Sequence, residues 1–255
     1  MVVRVSIAGD RADLVLDRPE VLNAMDWEVF DAIATAVDEI AAAENVRVVV
    51  VSGEGRSFSS GIDTSTFGDL TGTPGERIAR AQAGGRKLAA LPIPTIAKVQ
   101  GHALGAGLQL ALMCDVRVVA EDASLGLLEG KYGIIPDLGG TQRLPLLVGP
   151  GWAKKMIWLA EHVDGVAAGR IGLAEVVVPA AELDAAVDDL AARIASAPPL
   201  AARQAKRLVE LAGTVPLNEG MDEEARSQMA LLASNDFGEA ISAFIEKRDP
   251  DYTGS

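Results

Sequence analysis

A nearly continuous β-branched run around residue 50 restricts the fold most strongly. Val46-Arg47-Val48-Val49-Val50-Val51-Ser52 is apolar at almost every position and ends at Gly53. Successive side chains of a strand point to opposite faces of the sheet, so a continuous apolar run places apolar side chains on both faces. Such a strand is usually buried on both faces, as in a parallel sheet covered by helices. The run therefore predicts a central strand of an α/β protein.

Strand-like and helix-like segments alternate through the first two thirds of the chain. Further strands are expected at residues 1–7, 12–16, 95–100, 116–120 and 176–178, and helices at 26–43 and 76–91. This order predicts a largely parallel sheet with covering helices.

The last third contains only helical patterns. Helices are expected at residues 182–196, 199–212, 218–233 and 236–247, followed by a frayed polar end at 252–255. We therefore divide the chain into an α/β core, residues 1–195, and a C-terminal helical region, residues 196–255.

Composition narrows the classes of partner. The 255 residues carry a net charge of −13, which repels phosphate backbones and argues against nucleic acid. The single cysteine, Cys114, excludes an internal disulfide and fits a reducing compartment. No signal peptide is visible, and no apolar run approaches the ~18 residues of a membrane span. We expect a soluble, cytoplasmic protein without a membrane partner.

A glycine-rich stretch, Gly101–Gln109, joins the predicted strand at 95–100 to an apolar helix-like run at 108–113. Its glycines let the backbone turn sharply and approach a ligand closely. Such a loop presents free N–H groups at a helix N-terminus, where negative charge is favoured. Such a loop can bind a phosphate, or a carbonyl oxygen that becomes an oxyanion. The residues of the loop do not distinguish between these two ligands.

Two carboxylates stand out among the other candidate site residues. Glu129 and Asp137 lie in a short Gly- and Pro-rich region flanked by apolar residues. Apolar surroundings raise the pKa of a carboxyl group, which suits a general acid or base near neutral pH. No His/Cys/Asp spacing indicates a metal site, and no Ser-His-Asp set is visible.

Five motifs occur together in a fixed order. They are Asp17-Arg18-Pro19 with Leu22-Asn23-Ala24-Met25, Phe58-x-x-Gly61-Ile62-Asp63, Gly101-x-Ala103-Leu104-Gly105-x-Gly107, Pro136-x-x-Gly139-Gly140-Thr141-Gln142-Arg143-Leu144, and Ala243-Phe244-Ile245-Glu246-Lys247-Arg248. Over nearly its whole length the chain resembles the enoyl-CoA hydratase/isomerase, or crotonase, family.

The resemblance implies a ClpP-like spiral of ββα units with a C-terminal helical trimerisation region. It also implies homotrimers or dimers of trimers, and acyl-CoA thioester substrates. Coenzyme A enters as part of the substrate, and no other cofactor is expected. The thioester oxygen would sit between the backbone N–H groups of Ile62 and Ala106, an oxyanion hole. Substrate-binding positions matched in the same way are Arg18, Leu22, Ala24, Ser60, Gly61, Asp63 and Gly105.

The matched catalytic positions leave the reaction open. Hydratases of the family use two glutamates, which correspond here to Gln109 and Glu129. Glutamine cannot exchange a proton at neutral pH, although it can orient water. The family's Δ3,Δ2-enoyl-CoA isomerases work with a single glutamate near Glu129, and its dienoyl-CoA isomerases pair a Glu with an Asp spaced like Glu129 and Asp137.

We therefore expect double-bond isomerisation, with Glu129 as base and Asp137 assisting. One alternative is hydration of 2-trans-enoyl-CoA in fatty-acid β-oxidation, with Gln109 orienting the water. An alternative from another class is a non-catalytic acyl-CoA binder. Asp63 also fits a loop brace. Lys98, Lys154 and Lys155 are candidates for the coenzyme A phosphates, although each also fits solvated surface charge.

Overall fold

The computed structural model describes residues 1–68 and 71–255. The chain divides into two compact units, residues 1–91 with 95–191, and residues 92–94 with 192–255. The strands are β1 Val3–Ala8, β2 Arg11–Leu16, β3 Val48–Gly53, β4 Thr95–Val99, β5 His102–Leu104, β6 Val116–Ala120, β7 Ser124–Gly126, β8 His162–Asp164 and β9 Val176–Val178. The helices are α1 Trp27–Ala42, α2 Pro74–Ala90, α3 Ala106–Leu112, α4 Gly140–Leu159, α5 Gly165–Ile171, α6 Leu183–Ala195, α7 Pro199–Leu211, α8 Leu217–Leu232 and α9 Asn235–Glu246.

The larger sheet has six strands in the order β1-β2-β3-β4-β6-β9. The β1–β2 pair is antiparallel and every other pair is parallel. Every residue of β3 is buried, as its continuous apolar run predicts. The predicted α/β class and largely parallel sheet are thus confirmed.

A second sheet of three strands, β5-β7-β8, runs beside the first. The chain passes from β4 to β5 to α3, and then from β6 to β7, so that each turn contributes one strand to each sheet. These are the ββα turns of the expected spiral. Ser59 forms an isolated parallel bridge with Ala103 of β5, which brings the loop after β3 beside β5. The strands of this second sheet were not predicted, because segments of three residues without a continuous apolar run show no period.

Local signals fix the helix starts. The Asp26 side chain accepts a hydrogen bond from Val29 N and caps α1, which begins at Trp27, one residue after the predicted start of this helix. Helix α2 begins at Pro74, two residues before the predicted start, because Thr73 and Glu76 form a reciprocal capping box there.

Helix α4 was not predicted from the sequence. Pro145 and Pro150 both lie inside it, and Gly149 interrupts it with φ of 75° and ψ of 159°. Proline removes a backbone donor and glycine weakens the helical pattern, so the segment does not look like one helix in the sequence.

The second unit contains α7, α8 and α9 within one residue of their predicted bounds. The predicted fraying of the C-terminus is wrong. Asp236 is buried, and its Oδ1 accepts hydrogen bonds from Thr253 N at 2.8 Å and Gly254 N at 3.1 Å. Backbone amides thus satisfy a buried carboxylate, and this holds the polar end in place. Within residues 1–68 and 71–255, no helix combines the length and hydropathy needed to cross a membrane.

Candidate active site

A cleft of about 730 Å³ opens within the first unit. Its carboxylates are Glu129 and Asp137, and Gln109 lies beside them. Most of the remaining wall is apolar, formed by Trp27, Phe30, Phe67, Ile78, Leu128, Tyr132, Ile134, Ile135 and Leu138. A concave apolar site with a few converging polar groups is the usual form of a small-molecule site.

Two backbone loops meet at one wall of the cleft. Ile62 and Ala106 both line it, and neither N–H donates a hydrogen bond to any group in residues 1–68 and 71–255. Ile62 lies opposite Met25, but its own N–H takes no part in the pairing. Met25 N donates to Gly61 O, and Asp63 N donates to Met25 O. Ala106 is the first residue of α3, where helical N–H groups have no internal partner. Two free donors on one wall are what an oxyanion hole requires.

Glycines allow these loops to approach each other. A Cβ on Gly61 would lie 2.7 Å from the carbonyl oxygen of Leu104 and 3.7 Å from Ala106 N. Gly61 also has φ of 103°, and Gly105, which precedes α3, has φ of 51° with ψ of −121°. Side-chain-bearing residues rarely adopt such angles. Gly61 therefore lets the two free amides lie on the same wall.

Glu129 begins a short 3-10 helix and is 8% exposed. Burial raises the pKa of its carboxyl group, and the nearby charge of Asp137 raises it further, while the Gln109 hydrogen bond opposes the shift. Glu129 Oε2 has no hydrogen-bond partner within the part of the chain that the structure describes. A desolvated carboxylate of this kind is suited to hold a proton part of the time and to transfer it.

Gln109 is 1% exposed, and its side chain has three hydrogen bonds to protein groups. Its Oε1 accepts from Leu138 N at 2.7 Å and from Gly140 N at 3.0 Å. Its Nε2 donates to Glu129 Oε1 at 2.7 Å. The structure thus brings Gln109 and Glu129 into direct contact.

Asp137 lies on the same loop as Leu138 and lines the cleft. Burial raises the pKa of its carboxyl group. Its backbone carbonyl accepts a hydrogen bond from Gln82 of α2. The two carboxylates predicted from the sequence therefore share one cleft, and the pKa of each is raised.

Replacing Glu129 with glutamine should change the pH dependence of stability. Because the folded pKa lies above the ordinary value of 4.5, the folded protein holds a proton that the unfolded chain has released, and stability falls as pH rises through that window. Glutamine removes this titration and can still accept from Gln109. We expect Glu129→Gln to raise the melting temperature near pH 7, and we expect the gain to shrink as pH falls towards 4.5. Thermal unfolding measured across that range tests this, and a gain independent of pH would contradict it.

The predicted substrate-binding positions fall into two groups. Ser60, Gly61 and Gly105 line the cleft. The described lining does not include Arg18, Leu22, Ala24 or Asp63.

Arg18 binds protein groups on the neighbouring loops. Its guanidinium lies 3.0 Å from Asp26 and 3.3 Å from Asp63, and it donates to Ala24 O at 2.7 Å. The pKa of the Asp63 carboxyl group is lowered by a hydrogen bond from the Ser65 side chain, by the bond that its Oδ1 accepts from Ser65 N, and by the charge of Arg18. Asp63 thus sits where a loop brace would sit. Contact of Arg18 with coenzyme A remains a prediction, and a phosphate would compete with two carboxylates.

Two of the three candidate lysines, Lys98 and Lys155, form ion pairs with carboxylates of the protein. Lys98 lies 2.7 Å from Asp184, and Lys155 lies 3.1 Å from Glu161. Each pair has at least one largely exposed side chain, as expected for surface charge.

Sequence reasoning missed the aromatic wall and Gln82. Trp27 and Phe30 form a tilted pair with ring centroids 5.9 Å apart, and Phe67 and Tyr132 form another at 5.8 Å. Only 4% of the residues are aromatic. The sequence could have indicated the pair Trp27 and Phe30, because these residues lie three apart on one predicted helix. Phe67 and Tyr132 are brought together by the fold.

Known proteins resemble this chain in both sequence and fold. The family model for enoyl-CoA hydratase/isomerase matches residues 11–255. The 2,3-dehydroadipyl-CoA hydratase of Escherichia coli K12 is 37% identical, with 94% of each chain covered. The crystal structure of an enoyl-CoA hydratase from Bacillus anthracis superposes on this chain with a TM-score of 0.95. The two sequences are 33% identical, and the superposition covers 100% of each chain.

A third relative was crystallised with a ligand. The structure of a candidate enoyl-CoA hydratase from Thermobifida fusca YX, in complex with acetoacetyl-CoA, is 39% identical with a TM-score of 0.85 and covers 91% of this chain and 95% of that one. The α/β spiral and its cleft thus define an enzyme with the crotonase fold. The chain belongs to the enoyl-CoA hydratase/isomerase family, as its motifs predict.

Proposed function

We propose that this enzyme acts on acyl-CoA thioesters by moving a proton at the carbon next to the thioester, through an enolate held in the cleft. The free N–H groups of Ile62 and Ala106 would bind the thioester oxygen as its negative charge develops. Each such donor is worth about 3–4 kcal/mol of barrier. The relative bound to acetoacetyl-CoA supports the choice of substrate class.

Glu129 acts as the base in this proposal. Its carboxylate removes a proton from the α-carbon of a 3-enoyl-CoA, and the electron pair passes through the double bond system to the thioester oxygen. A carboxyl group, Glu129 or Asp137, then returns a proton to the γ-carbon, and the double bond moves into conjugation. No atom is gained or lost overall, so the two carboxylates supply everything that the step requires.

The position of Gln109 supports isomerisation best. Its oxygen is bound to two backbone amides and its nitrogen donates to Glu129, so this side chain neither exchanges a proton nor offers its oxygen to a water molecule. Hydration needs a water that is held and activated while the neighbouring carbon is protonated. One glutamate, assisted by Asp137, meets the simpler requirement of a proton shift.

Hydration of a 2-trans-enoyl-CoA is the second candidate, and the names of the relatives favour it. The Escherichia coli and Bacillus anthracis proteins are both named as hydratases. In this reaction Glu129 would activate the water and Asp137, whose pKa is also raised, would supply the proton.

An isomer-resolved assay separates these candidates. With a 3-enoyl-CoA an isomerase gains conjugated absorbance, and with a 2-trans-enoyl-CoA a hydratase loses it. We expect the first reaction to be faster. Faster hydration would replace isomerisation with the second candidate. Tight acyl-CoA binding without turnover or uptake of solvent deuterium would indicate a non-catalytic binder instead.

We also propose that the C-terminal helices pack against further copies of the chain, in a homotrimer or a dimer of trimers. Within the second unit, large apolar side chains remain exposed, including Leu217 at 78%, Phe244 at 85% and Ile245 at 71%. Exposed apolar surface of this kind commonly marks an interface.

A further inference from the structure

The amide of Gln109 has only one orientation that satisfies its neighbours. Leu138 N and Gly140 N both point at the same atom, at 2.7 and 3.0 Å. Both are donors, so that atom must be the amide oxygen, because a flipped amide would place an NH2 group against two N–H groups. The NH2 group is consequently directed at Glu129.

Packing also prevents the glutamine from moving. The residue is 1% exposed. A Cβ on Gly140 would lie 3.0 Å from Gln109 Oε1 and 2.9 Å from the Pro136 side chain, so the loop at 136–140 lies directly against the amide. Gln109 is therefore a fixed donor rather than one that rotates to suit a ligand.

The same side chain links the Glu129 carboxylate to the loop that contains Asp137. Through Oε1 it binds the amide of Leu138, the residue after Asp137, and through Nε2 it binds Glu129. A donor to the carboxylate stabilises its charged form and opposes the cost of burial. The charged side chain that acts on Glu129 in the opposite direction is Asp137.

We propose that Gln109 is a positioning residue, which fixes the Glu129 carboxylate and the Asp137 loop relative to each other and exchanges no proton itself. The catalytic part of this inference rests on the proposed function of Glu129 as base. The effect on the Glu129 carboxyl group can be measured without any substrate.

The test compares three variants that separate the two ends of the amide. Gln109→Glu keeps an oxygen for the Leu138 and Gly140 amides but replaces the donor to Glu129 with a second carboxylate. Gln109→Met removes both the acceptor for the Leu138 and Gly140 amides and the donor to Glu129. Gln82→Met is the matched control, because Gln82 also holds the loop: its Nε2 donates to the Asp137 carbonyl, and its Oε1 accepts from Arg86 rather than contacting Glu129.

The readout is the titration of the Glu129 carboxyl carbon by NMR in protein labelled at glutamate, assigned by its absence in Glu129→Gln backgrounds. We expect Gln109→Glu to raise the upper titration midpoint of the site by about one pH unit or more, since a like charge replaces a donor. Gln109→Met should raise it as well, and Gln82→Met should leave it unchanged. In the same variants, the acid limb of the pH profile of kcat should shift together with the titration midpoint of the site, and KM should change little.

An unchanged midpoint in Gln109→Glu would overturn the proposal, and so would an equal shift in Gln82→Met, because a purely structural role of the loop would then be sufficient. Failure of the proposed function looks different. In that case the wild type shows no Glu129-dependent proton exchange with any enoyl-CoA, while the NMR titration still reports whether Gln109 controls the carboxyl group.

Discussion

Replacing Glu129 with glutamine is expected to slow proton exchange between solvent and bound acyl-CoA by about 10²–10⁴-fold, the usual contribution of a general acid or base. The amide keeps the shape of the side chain and can still accept the hydrogen bond from Gln109 Nε2, but it cannot take up a proton. Deuterium incorporation from D2O into bound acyl-CoA measures the exchange, and kcat for the preferred isomer should fall in parallel.

The control for this variant is a surface glutamate. Glu161 has a 49% exposed side chain paired with Lys155 and does not line the described cleft. Glu161→Gln should exchange at the wild-type rate. If Glu129→Gln retained more than a tenth of the wild-type exchange while Asp137→Asn abolished it, the roles assigned to the two carboxylates would be reversed.

Replacing Gly61 with alanine should reduce kcat by about 10²–10³-fold, the effect of losing one oxyanion donor. The new Cβ would lie 2.7 Å from the Leu104 carbonyl oxygen, and φ at this position is 103°. The two loops must therefore separate, which displaces the neighbouring Ile62 N–H from the site that Ala106 N shares. Steady-state kinetics, together with the binding constant of a non-reacting acyl-CoA, measure the effect, and kcat should fall far more than binding.

Gly9→Ala is the matched control, because it separates backbone strain from displacement of the loops. Gly9 has φ of 61°, and an added Cβ would meet nothing within 4 Å. Its substitution should cost roughly 1–2 kcal/mol of unfolding free energy, as expected for a left-handed residue that gains a side chain, without changing kcat. Equal losses of kcat in both variants would show that the Gly61 effect reflects general instability rather than the oxyanion geometry.

Much of the fold follows from local patterns. The sequence predicts the buried run at β3 and the four C-terminal helices, because hydrophobic period and proline act within a few residues. The three-residue strands β5, β7 and β8 are not readable, since their pairing depends on segments distant in the chain. Helix α4 was missed for a different reason: Gly149 and Pro150 interrupt its pattern, and packing overrides that local preference.

The candidate site shows the same division. Its motifs point to Glu129, Asp137 and the loops that contain Ile62 and Ala106. The sequence by itself determined the family, the α/β class and the residues able to transfer protons, because these depend on residue types and their order. Only the tertiary structure decided which groups Gln109 contacts. Its three partners are residues 129, 138 and 140, and the direction of its amide depends on which donors the fold places around it.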